Sequence, residues 1–246
     1  MAGVTQAIVA LDVGSFDQAR ALVARLGDRA TFFKVGLELF AADGPRTVAW
    51  LREQGRRVFV DLKAYDIPNT VRGVARSAAA AGASLLTVHG IGGRAMLDAA
   101  VDGAGPQDGS GCGVLAVTVL TSFNAAGYGT AMGRDGVDIP GEVERIAELA
   151  AEAGLHGVVC GGHEAAGIRD RFGDRLRTLV PGVRLGGSPV HDQVRSATPG
   201  EAAQAGASYV VLGRAITAAS DPAAAFSRIA NEMANAVADE TLPQAP

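Results

Sequence analysis

Lysine is almost missing from this 246-residue chain: Lys and Arg together number 22, and only Lys34 and Lys63 are lysine. Cysteine is equally sparse, and two residues, Cys112 and Cys160, are too few for a disulfide framework. Aromatic side chains make up 5% of the chain, with a single tryptophan. No apolar run is long enough to span a bilayer. The first residues lack the basic stretch and apolar core of a secretory signal. Charge is spread without long runs, and the net charge of −4 gives no basic footprint for nucleic acid. A phosphate-bearing ligand would therefore be drawn by local donors rather than by overall charge. These absences predict a cytoplasmic protein that engages neither nucleic acid nor membrane.

What the chain does contain is an alternation. Short runs of Val, Ile, Leu and Phe, eight in all, are followed by longer Ala-, Arg- and Glu-rich segments at helical spacing. The predicted strands are Ala7–Leu11, Ala30–Val35, Arg57–Leu62, Ser84–His89, Gly113–Leu120, Gly157–Cys160, Leu176–Pro181 and Ser208–Gly213. The predicted helices are Phe16–Leu26, Gly44–Gln54, Pro68–Ala81, Ala95–Asp102, Gly141–Ala153, His163–Phe172, Pro199–Ala205 and Pro222–Val237. Eight strands each followed by a helix is the count of a closed (β/α)8 TIM barrel of eight parallel strands, with an open doubly wound sheet as the alternative. The barrel is expected to occupy residues 1–240 as one catalytic domain, with 241–246 a frayed tail. Leu11-Asp12-Val13-Gly14-Ser15 has one glycine where a dinucleotide fingerprint needs three. Gly90-Ile-Gly-Gly93 and Gly109-Ser-Gly-Cys-Gly113 read as flexible connections. The segments 121–140 and 182–198 are long and lack periodicity, which suits lids at the C-terminal face of a barrel.

The scarcity of lysine acquires chemical meaning from where the two lysines stand. Arginine is a permanently charged fork, whereas lysine carries a compact ammonium that can surrender a proton. Both lysines sit in apolar, strand-like runs, Thr31-Phe-Phe-Lys34-Val-Gly36 and Val58-Phe-Val-Asp61-Leu-Lys63. Strand alternation points Asp61 and Lys63 to one side and Leu62 to the other. Lys34 on the neighbouring strand and Asp12 at the end of the first should meet them at one rim. Buried charges rarely gain net stability over apolar packing, so such a cluster suggests function, although Asp61 and Lys63 could be a structural ion pair. Asp66 on its own reads as a turn residue before a helix that begins at Pro68. After the eighth strand, Gly213 permits close backbone approach and Arg214 can grip phosphate oxygens through its fork. Gln193, within the loop after the seventh strand, offers both donor and acceptor groups. Cys160-Gly-Gly-His163 is at most half a metal site, with no further ligands evident, and no metal is expected.

Taken in order, Leu11-Asp12, Phe33-Lys34-Val35-Gly36, Asp61-Leu-Lys63-Ala-Tyr-Asp66-Ile-Pro68, Val88-His89, Leu120-Thr121-Ser122, Pro181-Gly-Val-Arg184, Asp192-Gln193 and Gly213-Arg214 resemble the orotidine 5'-phosphate decarboxylase family over almost the whole chain. The resemblance implies cofactor-free decarboxylation of orotidine 5'-monophosphate to uridine 5'-monophosphate by a homodimeric barrel. It implies that Lys63 protonates C6 within a network completed by Lys34, Asp61 and Asp66. It further implies that Asp12 and Lys34 hold ribose hydroxyls, Thr121 the pyrimidine, and Gln193, Gly213 and Arg214 the phosphate side, with Arg184 opening a mobile loop. Asp66, Ile67 and Thr70 would reach into the partner's site. The chain departs from the usual family pattern at Val180-Pro181, after Arg184 and at Gly161-Gly162, all on the lid side. A magnesium-dependent sugar-phosphate decarboxylase or aldolase of the same superfamily is the nearest rival; a magnesium-binding glutamate replaces Lys34 in those relatives. A phosphate-ligand binding barrel without turnover is the alternative of a different class.

Overall fold

The computed structural model describes residues 4–184 and 197–240. Its eight strands are β1 (Gln6–Ala10), β2 (Phe32–Gly36), β3 (Arg57–Ala64), β4 (Leu85–His89), β5 (Gly113–Val117), β6 (Gly157–Val159), β7 (Arg177–Val180) and β8 (Tyr209–Leu212). Each pairs in parallel with the next, and β1 pairs with β8, so the sheet closes into a barrel. This is the (β/α)8 architecture expected from the alternation. The helices are α1 (Phe16–Leu26), α2 (Leu37–Glu53), α3 (Pro68–Ala80), α4 (Arg94–Ala104), α5 (Ala125–Met132), α6 (Ile139–Glu152), α7 (Gly162–Phe172), α8 (Pro199–Gln204), α9 (Arg214–Thr217) and α10 (Pro222–Glu240). The tail expected at 241–246 lies outside the described residues.

Two hydrophobic clusters follow from the period of two along each strand. One face of the strands, with Val9, Phe33, Val58, Leu86 and Val114, packs against the helix ring. The other fills the barrel with Ile8, Phe32, Phe59, Leu115, Leu179 and Tyr209. The N-terminal mouth is closed by a polar plug: His156 bridges the Gln107 carbonyl (3.2 Å) and the Tyr209 hydroxyl (3.0 Å), and the Arg57 guanidinium stacks over Phe32.

Local chemistry sets the helix ends. Ser15 caps α1 by accepting the Gln18 N–H, and Gly27, at φ 58°, ends it. Pro68 opens α3, where its missing N–H has no consequence. Thr198 and Glu201 form a reciprocal capping box on α8.

Three expectations are corrected. The second helix begins at Leu37, seven residues before the predicted start at Gly44. Pro45 lies inside it and is accommodated by a kink at Asp43 (φ −156°, ψ 34°). The segment 121–140 is not irregular throughout. It contains α5, whose Ala- and Gly-rich sequence carries no amphipathic stripe but whose N-cap Asn124 accepts the Gly127 N–H. Gly90 and Gly92 are packing positions rather than flexible ones. A Cβ on them would fall 2.2 Å from Ile146 and from Met96 respectively.

Candidate active site

A cavity of about 770 Å³ opens at the C-terminal ends of the strands, the face where barrels carry their chemistry. The inward positions of β1, β2 and β3 change character there. Above Ala10, Phe32 and Phe59 the same period of two delivers Asp12, Lys34 and Asp61. Phe32 and Phe59 are buried apolar side chains; two residues later the chain presents charge.

These charges alternate in a chain of contacts. Lys34 Nζ donates to Asp12 Oδ1 at 2.8 Å and lies 3.5 Å from Asp61 Oδ2. Lys63 Nζ donates to Asp61 Oδ1 at 2.8 Å. Lys34 and Asp61 are each only 8% exposed, so the centre of the network is desolvated, while the Asp12 side chain at one end (57% exposed) and that of Lys63 at the other (31%) are open to solvent. Burial by itself would raise the Asp61 carboxyl pKa. The charges of Lys63 and Lys34, with hydrogen bonds from Lys63 and Thr87, outweigh it and hold the group below its ordinary value. Asp61 therefore keeps its negative charge deep in the barrel mouth, between two ammonium groups.

Gly36 makes room for this arrangement. A Cβ there would stand 2.7 Å from Lys34 Nζ and 3.2 Å from Asp12 Oδ1. Glycine is required by close approach and not by backbone geometry, since its φ of −88° suits any residue.

Lys63 arrives by a less regular route than strand alternation. Val60 pairs with Leu86 and Ala64 with Val88, so three residues of β3 oppose the single residue Thr87 of β4. The bulge turns Lys63 to φ 50°, the one positive φ at a non-glycine among the described residues. A left-handed lysine costs roughly 1–2 kcal/mol, a cost that glycine would avoid. The strained backbone places the Lys63 ammonium against Asp61 at the cavity. Leu62 packs outward against the helix-side core, so the expected division between the two faces holds.

The remaining walls come from the far side of the barrel. Thr121 and Ser122 follow β5, and Pro181, Gly182 and Arg184 follow β7. Gly213 is the N-cap of α9 and Arg214 its first residue, directly after β8. Among the described residues nothing lies within 4 Å of where a Gly213 Cβ would project, which leaves its backbone room for close approach. Arg184 N donates to the Ala197 carbonyl at 3.0 Å, which joins the two stems of the loop after β7.

Eight of the predicted site residues thus line one cavity: Asp12, Lys34, Asp61, Lys63, Thr121, Arg184, Gly213 and Arg214. Asp66, Ile67 and Thr70 do not. Asp66 and Ile67 are exposed on the β3–α3 connection and Thr70 is exposed in the first turn of α3, with Asp66 Oδ1 accepting the Ile67 N–H at 2.7 Å. Gln193 lies outside the described residues. Sequence reasoning did not single out Thr87, which contacts both Asp61 and Lys63; its inward register two residues beyond Leu85 was the available signal.

Among the described residues no helix is long and apolar enough to cross a membrane. A sequence profile of the orotidine 5'-phosphate decarboxylase / HUMPS family matches residues 5–229. An orotidine 5'-phosphate decarboxylase of Anaeromyxobacter sp. strain K is 51% identical over 225 residues, covering 90% of this chain and 95% of that protein. One from Cutibacterium acnes is 46% identical over 231 residues, covering 93% and 96%. Among solved structures, orotidine 5'-phosphate decarboxylase from Lactobacillus acidophilus superposes with a TM-score of 0.81 at 35% identity, covering 93% of this chain and 99% of that one. The enzyme from Pyrococcus horikoshii gives 0.74 at 27% identity, covering 93% and 99%.

Proposed function

Because the chain belongs to the orotidine 5'-phosphate decarboxylase family, we propose that it converts orotidine 5'-monophosphate to uridine 5'-monophosphate and carbon dioxide in pyrimidine biosynthesis, without a cofactor. The observation that carries this reading is the alternating Asp12–Lys34–Asp61–Lys63 chain at the cavity wall.

Loss of carbon dioxide from C6 breaks the C6–carboxylate bond and leaves its electron pair on carbon. The pyrimidine offers no electron sink for that pair, so stabilisation must come from a cation fixed close to C6 before the bond breaks. Lys63 supplies it. Its ammonium has three N–H donors, of which one is engaged by Asp61. A second can point to C6 and pass over as the carbon–carbon bond opens, leaving a neutral amine that takes a proton back from water. Asp61, kept anionic, sets a negative charge against the departing carboxylate. Lys34, held between Asp12 and Asp61, fixes the geometry of both and reaches ribose hydroxyls together with Asp12.

The phosphate side consists of Arg214, whose fork suits two phosphate oxygens, the Gly213 backbone and Gln193. Thr121 addresses the pyrimidine, and Arg184 lines the cavity on the phosphate side. Binding energy from these distant contacts is expressed at the reacting end through placement. We place the enzyme in the cytoplasm as a homodimer, with Asp66, Ile67 and Thr70 of each chain completing the site of the other. The exposure of Tyr65 (62%) and Ile67 (67%) on the β3–α3 connection supports such a contact.

Following the ultraviolet change as orotidine 5'-monophosphate is consumed tests the reading. Turnover is expected with the wild-type protein, and Lys63→Ala should keep its fold and lose nearly all activity. No turnover at saturating substrate would point instead to a phosphate-ligand binding barrel. Activity should persist in excess chelator. Strong loss there would favour the magnesium-dependent rival.

A further inference from the structure

We propose that Thr87 is a positioning residue for the proton transfer: its hydroxyl ties the Lys63 backbone to the Asp61 carboxylate and thereby aims the Lys63 ammonium. The inference rests on the reading of Lys63 as proton donor.

Three contacts form a closed cycle. The Lys63 backbone N–H donates to Thr87 Oγ1 at 2.9 Å. Thr87 Oγ1 donates to Asp61 Oδ1 at 2.8 Å. Lys63 Nζ donates to that same Oδ1 at 2.8 Å. A hydroxyl has one proton, so accepting from Lys63 leaves that proton for Asp61, and the direction of the cycle is fixed. Asp61 Oδ1 then holds two donors while Oδ2 stays turned toward Lys34 and the cavity.

The backbone explains why a side chain is needed at this point. With three residues of β3 opposite one of β4, the ladder cannot supply a carbonyl partner for every N–H of the bulge. Thr87 is fully buried, and without its oxygen the Lys63 N–H would face an apolar wall. The left-handed φ of Lys63 is stable only if the surroundings over-determine it. Thr87 contacts both ends of the segment that must be held, the Lys63 backbone and the carboxylate that orients the Lys63 side chain. A threonine present only to fill the barrel would need neither contact.

The test compares wild type, Thr87→Val, Thr87→Ser and Lys63→Ala in orotidine 5'-monophosphate turnover, with thermal melting of each. Valine keeps the shape and removes the hydroxyl; serine keeps the hydroxyl and removes the methyl. Thr87→Val should lower kcat about ten- to hundredfold with KM little changed, the range expected for one hydrogen bond to a charged group. Its acid limb in kcat/KM should move to higher pH, because Asp61 loses a donor. Thr87→Ser should recover most of the activity. If valine strongly lowers the melting point, Thr87→Ala assayed well below its own midpoint gives the same comparison. Wild-type kcat in Thr87→Val beside an inactive Lys63→Ala overturns the role of Thr87 alone. Equal impairment in the valine and serine variants also overturns it, since packing would then be the cause. Full activity in Lys63→Ala overturns the assignment of the proton donor itself, and this role of Thr87 with it.

Discussion

Lys34 and Lys63 stand in different environments, which matches the different roles proposed for them. Lys34 is nearly buried with a carboxylate on either side, whereas Lys63 is more open to the cavity and stands on a left-handed residue. In the proposed reaction the first holds the geometry and the second has the access a proton donor needs. Their scarcity in the sequence singled them out, and the pairing with Asp12 and Asp61 followed from counting along the strands. Gly36 was legible only as part of a motif, because its reason lies in a neighbour's ammonium. Replacing it tests how much the placement of Lys34 matters. Gly36→Ala should add no backbone strain, since its φ is ordinary, and should lower stability by about 1–3 kcal/mol through the disturbed Lys34 ion pairs. The new methyl must displace the Lys34 ammonium, and kcat/KM should fall by about a hundredfold, as a displacement near 1 Å can cause. Steady-state kinetics beside a urea melt would check both halves. Cys112, buried beside β5, has its thiol pushed by burial up to about 12, which removes it from nucleophilic chemistry at neutral pH.

Individual elements show where pattern reading stops. Strand and helix identity came through because apolar period and capping residues are local. The β3 bulge did not, since it exists only as a mismatch between β3 and β4. Helix α5 escaped because its small residues carry no apolar stripe; Tyr128 anchors it, packing edge-on against Phe123 at 5.6 Å between centroids. Nearby, the α6 residue Glu142 accepts from both Arg134 and Arg145, which ties the segment following α5 to α6. The β3–α3 connection and the first turn of α3 carry Asp66, Ile67 and Thr70 away from their own chain's cavity. If they serve a partner, mixing Lys63→Ala subunits with Asp66→Ala subunits should create one intact site per hybrid dimer. Each variant alone should be nearly inactive, and the refolded mixture should recover up to about a quarter of wild-type activity by random pairing, with half the dimers hybrid and one working site in each. Activity of the mixture no higher than that of the separate variants, with hybrids shown to form, would place the whole site within one chain.

For the molecule as a whole, acid sensitivity follows from two histidines. Burial, then the Lys63 charge, holds His89 below its ordinary value near 6.5. Burial does the same at His156; the Gln107 carbonyl opposes it, and Arg177 and Arg57 add to it. The unfolded chain therefore binds protons near pH 6.5 that the folded chain does not. Stability is full above that value and falls as pH drops through and below it. Urea midpoints should decrease between pH 7.5 and 5.5, and His156→Gln should flatten that slope; an unchanged slope would assign the effect elsewhere. Asp61 acts in a lower window, its contribution being present above its ordinary value near 3.8 and lost as pH falls through its depressed native value. The sequence by itself determined the eight-fold alternation, the barrel it closes into, and the charged residues placed at strand ends, because period and residue type are local properties of the chain. Only the tertiary structure decided that Thr87 links Asp61 to Lys63, that Gly36 yields its space to Lys34, and that Lys63 adopts a left-handed backbone. Those depend on atoms brought together from different strands, where register and close approach have no counterpart in a linear pattern.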